Sequence, residues 1–166
     1  MIHETAIVDK KAKISDSAVI GPYSIIGPHV KIEDGSEIQS HVILQGDTTI
    51  GKNTKIFPFA SIGTSPQDLK YSGEQTKLEI GNNNIIREYV TINIGTRGGG
   101  GITKIGNSNL IMIGAHIAHD CKIGNNTVIA NSAAIAGHAE IADDVIIGGN
   151  CGVQQFTRIG KMAMIG

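Results

Sequence analysis

Aliphatic residues recur at every sixth position of this chain, and the recurrence decides what kind of structure it can form. The series runs Ile2, Val8, Ile14, Ile20, Ile26, Ile32, Ile38, Leu44, Ile50, Ile56 and Ile62, then restarts at Ile80, Ile86 and Ile92. It restarts again at Ile105 and continues through Ile111, Ile117, Ile123, Ile129, Ile135, Ile141, Ile147, Val153 and Ile159 to Ile165. This period matches neither the turn of a helix nor the alternation of a long strand, so each hexad reads as a short strand followed by a turn. First-position aliphatics then fill an interior. At the fifth position 21 of 23 hexads carry Ala, Ser, Thr, Val or Cys, small enough to sit where the backbone bends toward the axis. Ten of the 25 second positions are Gly, expected to relieve the corner.

This is the signature of a β-solenoid. The hexapeptide repeat resembles that of the left-handed parallel β-helix, a triangular prism with three hexads per coil. The handedness comes from that resemblance, since left-handed crossovers are an exception to the usual rule. The expected architecture is an all-β single domain over residues 1–166, with about eight coils and roughly 38 Å of prism at the ~4.8 Å strand spacing. Two segments break the register and are expected to leave the prism as loops, at about 64–79 and 94–104. The second contains the run Gly98 to Gly101, which lacks the Lys-Ser/Thr and the following helix of a P-loop and is read as a flexible flap.

Composition sharpens this picture. The chain has 30 Ile against 4 Leu, which suits strands and disfavours a helical bundle. A net charge of −1 removes the general electrostatic argument for nucleic acid. No apolar run is long enough to span a bilayer and the first residues lack the features of a signal peptide, so a cytoplasmic location is expected. Cys121 and Cys151 both occupy fifth positions, where Cys serves as a small apolar residue.

Chemistry concentrates in His116, His119, Asp120 and His138. His138 falls one coil after His119, displaced by one residue, so the two should stack on one face roughly 6 Å apart. Gly137 lies over His119 with no side chain to cover it. Such a corner suits general-base catalysis: a neutral imidazole takes a proton while a carboxylate holds its tautomer. Cys121 should face inward, which leaves no convincing nucleophile and favours direct transfer. The His-x-x-His spacing differs from the wider pair of γ-carbonic anhydrase-type zinc prisms, so no metal or cofactor is expected.

The stretches IGPYSIIGPHVKI, FASIGTSPQDLKYSGEQTKLEIG, GGGITKIG, AHIAHDCKIGN, AIAGHAEI and IIGG resemble the bacterial acyl-ACP:UDP-N-acetylglucosamine O-acyltransferases of lipid A biosynthesis. The resemblance covers the whole chain, loops included. It implies that His119 is the general base toward the glucosamine 3-hydroxyl, Asp120 its orienting partner, and the Gly137 N–H an oxyanion donor. It further implies that Asp68, Lys70, His116, His138 and Gln155 contact the nucleotide sugar or the acyl donor. The implied partners are UDP-N-acetylglucosamine and an acidic acyl carrier protein bearing a 3-hydroxyacyl chain, which Lys122, Arg158 and Lys161 would steer, and the implied assembly is a homotrimer.

Three features depart from the family pattern. Asn93 in TINIGT and Gln154 in GVQQF stand where that family usually has His, which bears on O- versus N-acylation. The chain stops inside a hexad at Ile165-Gly166, whereas the family continues into further coils and a helical domain, so a fragment is expected. Two alternatives stay open at this point: another hexapeptide acyltransferase acting on an amino sugar nucleotide, or an inactive trimerising fragment.

Overall fold

The computed structural model describes residues 1–166 and is a left-handed parallel β-helix. Its strands, mostly two residues long, assemble into three parallel sheets of eight strands each, and every third strand in sequence is a neighbour in space. Within a regular coil the register partners are one coil apart, as in Ile25↔Ile43 and Val128↔Ile146. No helix is long and apolar enough to cross a membrane.

The inward residues form one core of 33 buried side chains, almost all Ile, Val, Leu or Ala. Two fifth positions are Asn84 and Asn109, both buried, and they repay their burial by hydrogen bonding along the stack. Asn84 Nδ2 donates to Gly81 O and Gly106 O, and Asn84 Oδ1 accepts from Asn109 N. Asn109 Oδ1 in turn accepts from Thr127 N at 2.7 Å. Buried polar groups paired in this way cost little and fix the register of successive coils.

The second-position glycines do not serve as expected. Nine of the ten avoid positive φ, and the left-handed conformation falls instead on fourth-position residues such as Tyr23, His41, Phe59, Asp120, His138 and Phe156. At six of the ten, Gly21, Gly51, Gly63, Gly81, Gly106 and Gly124, a neighbouring coil approaches too closely for a Cβ. One added at Gly51 would lie 2.5 Å from Gly81 O, and one at Gly81 would lie 2.7 Å from Gly106 O. The left-handed corners stack their side chains. Tyr23, His41, Phe59 and Tyr89 form a ladder with ring centroids 5.1, 5.1 and 5.3 Å apart along one edge.

The prism is interrupted on neighbouring coils. Ile62 pairs with Ile92, 30 residues on, and Ile92 with Ile117, 25 residues on, so these coils carry 12 and 7 residues beyond the usual 18. The sheets reach into both segments expected to be loops. The strands Lys77–Ile80 and Ile102–Ile105 pair over four residues, because Leu78 and Thr103 are also buried and extend the ladder backwards. Of these two segments, what remains outside the sheets is 65–76 and, on the next coil, 94–101, which turns through Arg97–Gly99.

Candidate active site

Both extra segments leave the prism beside the corner at Asp120, His138 and Phe156, which follow one another at single-coil spacing. The cleft they enclose measures about 480 Å³ and is lined by Asp68, Lys70 and Glu74 from the first segment, Thr96 and Arg97 from the second, and His138 and Phe156 from the corner, among others.

His119 and Asp120 lie behind Thr96 and His138 and are almost fully buried. His119 Nδ1 is 2.8 Å from Asp120 Oδ2. With the proton on Nδ1, the imidazole donates to the carboxylate and presents Nε2 as a free base; that nitrogen has no protein partner. Asp120 is held in turn by the second segment: Thr96 N–H donates to Oδ1 at 2.8 Å and Thr96 Oγ1 to Oδ2 at 2.6 Å. Its own N–H donates to Thr103 Oγ1 at 2.8 Å. A buried carboxylate with this many donors is locked in orientation.

Gly137 faces the imidazole. A Cβ there would lie 2.7 Å from His119 Cε1 and 2.8 Å from Nε2, closer than atoms can approach, so only Gly leaves the base uncovered. No protein acceptor meets the Gly137 N–H. The rings of His119 and His138 meet edge to face with centroids 5.1 Å apart, and His138 stacks on Phe156 at 4.4 Å.

The remaining expected residues divide. Asp68, Lys70 and His138 line the cleft; His116 and Gln155 do not. His116 turns to Thr91, with Nδ1 2.7 Å from the hydroxyl, and burial, with the nearby His119 as a smaller influence, holds its pKa below the ordinary 6.5. Gln155 is exposed with no hydrogen bond. The two departures from the family pattern also lie off the cleft: Gln154 is exposed, and Asn93 is buried, its Nδ2 donating to Thr64 and Ser65 at the base of the first segment. Of the three cations expected to steer a partner, Lys122 and Arg158 share one carboxylate, Glu140, and Lys161 pairs with Asp144, all three remaining exposed.

The glycine run is not a loose flap. Gly99 packs onto the Asp120 carboxylate where no Cβ could fit, and Gly101 N–H closes the turn onto Thr96 O at 2.8 Å. Sequence reasoning missed Thr96, Thr103, Glu74 and Phe156. For Phe156 a signal existed, since it falls one coil after His138; the loop residues carry no periodicity. Burial places Cys121 in the wall and pushes its thiol up to about 12, away from any nucleophilic role.

His119, Asp120 and His138 each bring a potential metal ligand atom to within 4.8 Å of the others. Of these atoms Asp120 Oδ2 is already engaged: it accepts from His119 and Thr96, and a metal there would have to displace both. The donor set therefore fits a hydrogen-bonded relay better than a cation.

A hexad-built prism with a buried His–Asp pair under two extruded segments defines a hexapeptide-repeat transferase. A model of the bacterial transferase hexapeptide (six repeats) matches residues 102–137, and one of the GMPPB C-terminal domain matches 2–65. The chain belongs to the UDP-N-acetylglucosamine O-acyltransferase family. It is 39% identical to the UDP-N-acetylglucosamine acyltransferase of Bacteroides fragilis, covering 100% of this chain and 67% of that one with a TM-score of 0.71. To the Moraxella catarrhalis enzyme it is 54% identical, covering 99% and 66% with a TM-score of 0.95. The acyl-[acyl-carrier-protein]–UDP-N-acetylglucosamine O-acyltransferase of Rickettsia peacockii is 54% identical over 121 residues, 73% of this chain and 46% of that protein. The chain thus spans about half the length of the curated relatives it matches.

Proposed function

We propose that this chain carries the catalytic corner of an acyltransferase that moves a 3-hydroxyacyl group from acyl carrier protein to the 3-hydroxyl of UDP-N-acetylglucosamine, the opening step of lipid A biosynthesis. The observation that carries the reading is the pairing of an uncovered His119 Nε2 with the free N–H of Gly137 across a gap too narrow for a Cβ.

His119 Nε2 takes the proton of the acceptor hydroxyl as its oxygen bonds to the thioester carbonyl carbon. Asp120 stabilises the resulting imidazolium; Thr96 holds its carboxylate and Thr103 its backbone N–H. The carbonyl oxygen becomes an oxyanion, to which Gly137 N–H donates. Collapse breaks the carbon–sulfur bond, and the departing thiolate recovers the proton from His119. Asp68, Lys70 and His138 line the cleft where the nucleotide sugar and the pantetheine arm enter. His116 and Gln155, off the cleft in the single chain, belong to the contacts this reading assigns to the assembled protein, a homotrimer with a carrier-protein partner and a cytoplasmic location.

Acyl transfer from 3-hydroxyacyl carrier protein to UDP-N-acetylglucosamine tests the reading. Replacing His119 with Ala is expected to lower turnover by about 10²–10⁴-fold, the usual contribution of a general base. Undiminished turnover in His119→Ala sinks the mechanism, and no turnover by the unsubstituted chain in trimeric form sinks the activity. Light scattering checks the trimer against three times the 17.4 kDa chain mass.

A further inference from the structure

The cleft holds two cations, Lys70 and Arg97, and neither side chain has a partner in the protein. Every other charged group lining it is engaged. Asp68 Oδ1 accepts from Lys70 N–H at 2.9 Å. Glu74 spends both oxygens on the loops: Oε2 accepts from Ser72 N–H at 2.9 Å, and Oε1 from Arg97 N–H at 3.2 Å. These donors, led by the Ser72 N–H, hold the Glu74 carboxyl down at about 2, so it stays a fixed anchor at any working pH.

Arg97 is also the best-placed side chain of the second segment. Its backbone is pinned on one side by Glu74 and on the other by Thr96, whose N–H and hydroxyl are tied to Asp120. The guanidinium therefore springs from a turn built rigidly onto the catalytic pair, yet it is exposed and unpaired. An unpaired Arg on a rigid base and an unpaired Lys lining the same cleft can together take a phosphate or diphosphate: Lys as a point charge, Arg as a fork of parallel donors.

We propose that Arg97 is a ligand-binding residue of this site, forming with Lys70 a two-cation clamp for the phosphate group of a substrate. The inference rests on the function proposed above for its choice of ligand. Within that reading two groups share the chemistry, the diphosphate of the nucleotide sugar and the phosphodiester of the donor's pantetheine arm. The clamp adds to the His119–Asp120 machinery a device that aligns substrate from the same turn that orients the base.

Calorimetric titration of the unsubstituted chain, Arg97→Ala and Arg97→Lys with UDP and, separately, with 4′-phosphopantetheine tests the clamp. Arg97→Ala is expected to weaken one of the two by about tenfold or more, with Arg97→Lys recovering part of the loss. Whichever probe loses affinity identifies the phosphate that is held. The melting temperature should not move, because the Arg97 side chain bonds nothing in the protein. In the acyl-transfer assay the same variant should raise KM for the matching substrate with kcat within about threefold. Affinities for both probes within twofold of the unsubstituted chain overturn the proposal, as does an unsubstituted chain that binds neither. A chain that binds UDP through Arg97 yet transfers no acyl group leaves the clamp standing and overturns the activity instead.

Discussion

Gly99 lies directly against the carboxylate of Asp120, in space that the smallest side chain would fill. The second extruded segment is therefore a clasp on the His119–Asp120 pair, with Thr96 donating to both carboxylate oxygens and Gly99 packed against them. Gly99→Ala forces either the turn or the carboxylate to move. Since an ångström of misplacement in a catalytic group costs about 10²-fold, kcat should fall by that order while the hexad core, and with it the circular dichroism spectrum, is preserved. Wild-type kcat in Gly99→Ala would refute the clasp.

Gly137→Ala places a Cβ 2.8 Å from His119 Nε2. The imidazole must rotate or the coils must part, and either removes the base from its acceptor. Turnover is expected to drop by about 10²-fold or more, with a stability loss of about 1–3 kcal/mol from overpacking. Gly152, two coils beyond His116 on the same sheet, has open space around it and provides a control: Gly152→Ala should leave kcat unchanged.

His116 gives a stability signature. Burial lowers its pKa below 6.5, so between the two values the unfolded chain binds more protons than the folded one. Stability then rises with pH in that window: it is intact above about 6.5 and declines as pH falls toward the folded value. Urea midpoints at pH 7.5 and 5.5 should show a drop that is smaller in His116→Gln. An equal drop in both proteins contradicts the assignment.

The two thiols should separate cleanly. Cys121 is fully buried and its pKa stands at about 12, whereas Cys151 is half-buried near the last coil. At pH 8 a maleimide should modify Cys151 alone, and Cys121 only after unfolding, as peptide mass mapping would show. Rapid labelling of Cys121 in the folded chain would contradict its place in the wall.

Much of this site is legible in the hexads because a solenoid turns sequence distance into spatial distance. His119, Gly137 and His138 are found from register alone, as Phe156 could have been, since one coil of sequence is one strand spacing of height. The loop residues offer no such rule. Thr96 lies 24 residues from Asp120, and nothing in TRGGGG says that its hydroxyl will meet that carboxylate. The same limit explains the glycines: second-position Gly is expected to relieve the corner, but the left-handed conformation falls on fourth-position residues such as His138, and what Gly51 and Gly81 provide is clearance between coils.

By itself, then, the sequence determined the prism, the stacking of His119 beneath Gly137 and the inward burial of Cys121. Each of these needs only a residue and its neighbour one coil away, and a repeating ladder of backbone hydrogen bonds sets that neighbour. The tertiary structure alone decided that the glycine run meets Asp120, that Arg97 stands unpaired in the cleft that Lys70 also lines, and that Lys122 and Arg158 share Glu140 while Lys161 pairs with Asp144. Those outcomes depend on where aperiodic loops fold back and on which side chains reach one another across coils. Close packing and hydrogen bonding choose among many such arrangements, and a six-residue period does not encode the choice.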